Sequence, residues 1–246
     1  MNSTTEVLSS TRARQNPGQD PATVWEPLAG LAEAAAATAS GSTTVAINRG
    51  FDRKARERAR ALRQLLDERG VRATEITPAP DSEELLADSS VDSVINLVGT
   101  GSWQPYRLAA KERAALLAPR PEEGEPGESL RRDVIAMNRQ DSRRDAALSR
   151  VVVLPENATE GSLTLNRGGE PLSIPGGQVA ITLHEGQLDV RIEGPDYSEQ
   201  HFTADRLSLE THGGPHRLIR DEMPIAEFEG SLDFVCEREG LVVRSV

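Results

Sequence analysis

The chain has 246 residues, enough for one large domain or two small ones. A hydrophobic share of 37% excludes the disordered class, and only 3% aromatics implies a core of Val, Leu, Ile and Ala rather than rings. A net charge of -11 argues against nucleic acid or an anionic membrane surface as partner.

Nearly all the basic residues are arginine, with Lys54 and Lys111 the only lysines. Runs such as RKARERARALR interleave acids with bases and read as solvated helix faces. Cys236 stands alone, so no intrachain disulfide can form, and its place in an apolar-alternating run marks it as a small buried hydrophobe. The opening residues lack an apolar targeting segment, and no run reaches the length of a membrane span. A cytoplasmic location is the expectation.

Residues 1–20 are polar and irregular. A helix is predicted next, with Asp20 as its cap and Pro21 at its first position. Val24, Leu28, Leu31 and Ala35 form one apolar stripe, with Trp25 beside it. The loop TASGST separates this helix from the first strand. Docking of Val24, Trp25, Leu28 and Leu31 on a protein partner, or on a second copy of the chain, is the expected use of the stripe. Residues 1–42 are therefore read as an arm and a helix.

Residues 43–118 alternate two periods. Thr44–Asn48 reads as a strand, and 52–69 as a helix with Ala55, Ala59, Leu62 and Leu66 on one face. Gly70 stops that helix. Val71–Ile76 is a second strand, Ser82–Asp88 a short helix, Val91–Val98 a third strand and Pro105–Ala118 a further helix. Strand and helix alternating in this way predict a small Rossmann-like unit on a parallel sheet. The run PRPEEGEPGE (119–128) reads as an exposed connector. Leu130, Val134, Met137 and Leu148 suggest a bridging helix, so 119–149 is assigned to linker and helix.

From 150 to 246 the texture changes. VVVLPE, SLTLN, QVAITL, QLDVRIEG, RLSLET, SLDFVCE and GLVVRSV alternate apolar and polar residues, with Gly or Pro clusters such as RGGEP, HGGP and REG between runs. That density of turn signals predicts a β-sandwich or barrel. The expected fold class is α/β followed by all-β.

One stretch suggests a ligand. In DSVINLVGTGSWQP the third strand ends in Gly99-Thr100-Gly101-Ser102 and a helix comes next. Glycines after a strand let backbone amides turn toward an anion, and the next helix adds its positive end. The stretch has no Gly-Lys-Ser/Thr ending and no third glycine at Trp103-Gln104-Pro105. A plain turn is the leading reading, and a vestigial phosphate or nucleotide site at Gly99, Thr100, Gly101 and Ser102 the alternative.

The strand TVAIN, a helix ending LLDERGV and then DSVINLVGTGS resemble in order the first half of the bacterial diacylglycerol/lipid kinases and the related NAD kinases. ADRLSLETHGGPHRLIRDEMP with GLVVRSV after it is similar to their final strands. The resemblance implies an α/β domain with a β-sandwich behind it and phosphate transfer from a nucleotide. The family's Gly-Gly-Asp-Gly-Thr signature is replaced by Val98-Gly99-Thr100-Gly101-Ser102, which lacks its aspartate.

Other groupings carry less. His212-Gly-Gly-Pro-His216 places two imidazoles near a loop, but Gly213, Gly214 and Pro215 forbid a helical chelate, so a polar hairpin tip is expected and no metal. Asp221-Glu222 is the carboxylate pair best placed between strands. No nucleophile elbow is present, and no catalytic residue or cofactor can be named. The sequence favours a non-catalytic binding or assembly module, with a divergent phosphotransferase of the kinase types above as alternative.

Overall fold

A computed structural model describes residues 21–41, 43–99, 101–119, 129–139, 144–195 and 199–246. The connector PRPEEGEPGE lies outside these apart from Pro119. The elements in chain order are α1 (Pro21–Thr38), β1 (Thr44–Asn48), α2 (Arg53–Asp67), β2 (Arg72–Ile76), a 3-10 turn (Pro80–Leu86), β3 (Val91–Asn96), α3 (Gln104–Glu112) and β4 (Ala115–Ala118). The next elements are all strands: β5 (Ser129–Arg139), β6 (Arg144–Ala147), β7 (Arg150–Pro155), β8 (Ser162–Asn166), β9 (Leu172–Pro175) and β10 (Gln178–His184). The chain continues with β11 (Gln187–Glu193), β12 (Gln200–Ala204), β13 (Arg206–His212), β14 (His216–Arg220), β15 (Met223–Phe228) and β16 (Ser231–Ser245).

The fold is mixed α/β on two sheets. Among the described residues the larger sheet has ten strands in the order β2-β1-β3-β4-β16-β13-β8-β9, with β5 and β6 paired off β16. Strands β2, β1, β3 and β4 are parallel, and β4 pairs in parallel with Val242–Ser245 of β16. The second sheet is antiparallel, in the order β12-β11-β10-β7-β14-β15.

In the parallel half both sheet faces are covered, so β1 is buried along its whole length. Val45, Ile47, Ile95 and Leu117 meet α1 and α2 through Leu28, Leu31, Leu62 and Leu66. Ala46, Val94 and Leu116 point the other way, to Leu108 and Ala109 of α3 and to Val134 and Ala146 of β5 and β6. The apolar spacing of α2 therefore reports its one buried face, and Asp52 starts the helix by accepting a hydrogen bond from the Ala55 amide at 2.9 Å.

In the other half, two sheets enclose one core. Leu163, Leu165, Leu209 and Phe234 from the larger sheet pack against Val151, Val153, Ile181 and Val190 from the smaller. Burial alternates along β10 and β11, as the period of two in their sequences requires.

Strand β16 belongs to both halves. Its first part pairs with β13 and its last part with β4, while β5 runs along its other edge. A bulge between Glu237 and Leu241 joins the two parts, with Glu239 at φ 54. Gly240 is required there, because a Cβ would lie 2.5 Å from Val134 Cγ2.

Three expectations need correction. The helix at 105–118 ends at Glu112, stopped by left-handed Arg113, and Ala115–Ala118 form a fourth parallel strand. A short apolar run buried on both faces has no period to separate strand from helix. The bridging helix at 128–148 is instead the strand pair β5 and β6. Residues 134–137 are all buried, so their apolar spacing carries no helical signal. The turn expected at Arg238-Glu239-Gly240 is the bulge inside β16. That strand crosses the expected boundary, so 43–118 and 150–246 contribute strands to one continuous sheet.

Candidate functional site

The connections in the parallel half reverse direction at its centre. From β1 the chain passes through α2 to β2 on one side, then crosses to β3 on the other side and continues through α3 to β4. The loops leaving β1 and β3 thus turn to opposite faces at the carboxyl ends of these neighbours. Ligands of open α/β sheets bind outside the carboxyl ends of the strands at such switch points.

Both strands end in the same pair, Ile47-Asn48 and Ile95-Asn96, and both asparagines are fully buried. Asn96 shapes its own loop. Its Oδ1 accepts hydrogen bonds from the amides of Val98 at 3.0 Å and Gly99 at 3.1 Å, and its Nδ2 donates to Gly99 O at 3.2 Å. Gly99 completes the turn at φ 96. Asn48 reaches across instead. Its Nδ2 donates to Gln104 Oε1 at 3.0 Å, and Gln104 Nε2 donates to Thr77 O at 3.0 Å. The start of α3 is thereby tied to the ends of β1 and β2. Asn48 Oδ1 is buried with no hydrogen-bond partner among the described residues, and an acceptor left in that state is costly.

Two exposed aromatic rings flank these residues in sequence. Phe51 lies just after β1 and Trp103 just before α3, and each is 58% exposed. Arg49 Nε pairs with Glu75 Oε2 at 2.8 Å and holds the first loop on β2. The two helix starts differ. Asp52 caps α2, and its carboxyl is held below the ordinary range chiefly by the Ala55 amide. Trp103 stands at the cap position of α3 and offers no side-chain acceptor.

Of the four residues expected to cradle an anion, Gly99 has its amide engaged by Asn96, Thr100 lies outside the described residues, Gly101 is exposed and Ser102 is half-buried. The Asn96 bonds take the amides of Val98 and Gly99, which a phosphate cradle would have used. The residues that sequence reasoning missed are Asn48, Asn96, Gln104 and Phe51. The repeated Ile-Asn ending of two otherwise apolar strands was the available signal.

The docking stripe of α1 is corrected. Leu28 and Leu31 are fully buried in this chain's own core against β1, β3 and β4. The TASGST loop is an ordinary connector, pinned to β3 by hydrogen bonds from Ser40 and Thr43 to Asp92. The side chains of Val24 and Trp25 lie outside the described residues.

The remaining candidates have structural roles. Asp221 is buried and accepts from the amides of Leu148, Ser149 and Arg150 and from Ser149 Oγ, while Glu222 meets Arg150 at the surface. His212 bonds Thr164 Oγ1 at 3.0 Å, whereas His216 is buried, with Nδ1 against Gly214 O. Among the described residues no three His, Cys, Asp or Glu side chains are grouped to hold a metal ion. Burial and then Asp133 raise the Cys236 thiol, which keeps it protonated.

No family model matches the chain, and no curated protein matches it. Among solved structures the chain is similar to sheep galectin-11 in complex with glycerol, at 8% identity, covering 47% of this chain and 96% of that one, with a TM-score of 0.11. It is similar also to the Caenorhabditis elegans galectin LEC-6, at 11% identity, 46% and 84% coverage and a TM-score of 0.12. Likenesses at these TM-scores carry no argument about fold or ligand. Among the described residues no helix is long and apolar enough to cross a membrane.

Proposed function

We propose that this protein is a non-catalytic binding module, in which a Rossmann-like half backed by a β-sandwich takes a nucleotide-like ligand at the carboxyl ends of β1 and β3. One observation carries the reading. Two exposed rings lie close in sequence to a buried amide cluster, Phe51 three residues after Asn48 and Trp103 just before Gln104, and Asn48 Oδ1 in that cluster lacks a donor among the described residues. Rings of that kind stack on a planar base, and the amides match hydrogen-bonding edges. The side chains gathered here are amides and aromatics, a set suited to recognition rather than proton transfer.

Fluorescence tests the reading. In a Trp25→Phe background Trp103 is the only tryptophan. Titration with ATP or NAD should quench it and raise the melting temperature. A ligand at a hundredfold its Kd should stabilise by about 2.7 kcal/mol. Gly101→Val should abolish the shift if the turn before α3 contributes. No response to ATP, NAD or inorganic phosphate would defeat the proposal.

The order of an α/β half and then two packed sheets also favours a second reading, a divergent phosphotransferase of the lipid-kinase or NAD-kinase type. Transfer of the ATP γ-phosphate to diacylglycerol or NAD would establish it over simple binding.

A further inference from the structure

The free edge of β16 forms a second recess, away from the amide cluster. Between the segment paired with β13 and the segment paired with β4, this edge has no neighbouring strand among the described residues. A cavity of about 730 Å³ opens there, within the range of small-molecule sites. Arg113, the left-handed cap of α3, lines it from the parallel half, and Gly186, Asp205 and Arg206 line it from the two-sheet half. Arg144 and Arg238 complete a set of four guanidiniums facing two carboxylates, Asp205 and Glu237.

The charges are unevenly paired. Glu237 is shared by two arginines, Arg113 Nε at 3.0 Å and Arg144 Nη2 at 2.5 Å. Arg144 Nη2 also donates to Ala110 O at 3.0 Å, and its Nε is buried without a partner among the described residues. Among the described residues no carboxylate pairs with Arg206 or Arg238, and both are exposed. Gly186 leaves the space in which Arg238 lies, since a Cβ would meet Arg238 Nε at 3.2 Å. Cations without a carboxylate partner are thus concentrated in a concave site on a chain whose net charge is -11.

We propose that this recess binds a small phosphorylated ligand. Arg206 and Arg238 supply the free guanidinium forks, and Arg113 and Arg144 screen Glu237 from the anion. Guanidiniums match phosphate oxygens two at a time. A ligand here would touch α3 and the β10–β11 and β12–β13 turns together, bracing the two halves against each other.

Isothermal titration of the whole chain with inorganic pyrophosphate at low salt tests the proposal. Binding is expected, weakening as NaCl is raised. Arg206→Ala and Arg238→Ala should each weaken it about tenfold, and the double variant should abolish it. Both positions are exposed, so melting without ligand should be unchanged. Arg206→Lys with Arg238→Lys, which keeps the charge and loses the fork, should fall between. Gly101→Val, at the other site, should leave pyrophosphate binding intact. Absence of pyrophosphate binding, equal binding by the double alanine variant, or loss in Gly101→Val would each overturn it.

Discussion

In the parallel half every residue of β1 is buried, Thr44 through Asn48, whereas β11 in the two-sheet half buries alternate residues. The difference comes from the cover on each sheet. Strand β1 has α1 and α2 on one face and α3 with β5 and β6 on the other. Strand β11 turns one face to the common core and the other to solvent. A sheet covered on both faces depends on pieces far apart in sequence, while paired sheets supply their own cover.

The largest effect should come from uncovering one face. Deleting residues 1–38 removes Leu28, Leu31, Ala32 and Ala35, all fully buried. Loss of two core leucines alone should cost roughly 5 kcal/mol or more, measured by urea unfolding. A truncated chain of unchanged stability would break the claim that this sheet needs cover on both sides.

Next is Phe234→Ala. Phe234 is fully buried in the two-sheet core, on the strand shared by both halves. A loss of about 3–5 kcal/mol is expected. Because β16 joins the halves, far-UV circular dichroism and tryptophan fluorescence should report one shifted transition. Two separated transitions would show that the halves unfold independently.

A smaller effect sharpens the account of α1. Asp92 accepts from Ser40 N at 2.7 Å, Ser40 Oγ at 3.1 Å and Thr43 Oγ1 at 2.5 Å. Its carboxyl is held below the usual range first by Thr43, against the opposing effect of burial, and then by Ser40. A carboxyl lowered on folding stabilises above its unfolded pKa of about 3.9, and the benefit is lost as pH falls through the lower folded value. Asp92→Asn should therefore cost about 1 kcal/mol at pH 7. The gap to wild type should shrink below about pH 4. A gap independent of pH would remove the carboxylate from the account.

Sequence reasoning succeeded where one face is exposed. The spacing of Ala55, Ala59, Leu62 and Leu66 marks α2, and the alternation of QLDVRIE marks β11. It failed at β4 and β5. Leu116 and Leu117 point to opposite cores and residues 134–137 are all buried, so these runs carry no period that separates strand from helix. It failed also at Gly240, whose role is the close approach of Val134 from β5, a partner about a hundred residues earlier that no local pattern reveals. At the amide cluster, Gly99 and Gly101 stood out by composition. Asn48, Asn96 and Gln104 did not, because only the pairing of β1 with β3 and the seating of α3 bring them to one end of the sheet.

The place of β16 in the larger sheet has a consequence for synthesis. Residues 242–245, which close the edge of β4, leave the ribosome more than a hundred residues after β4 itself. Until then the nascent parallel half presents an open, apolar strand edge, the kind of surface on which chains join one another. Its assembly waits on a contact of long sequence separation, the kind of pairing that slows folding.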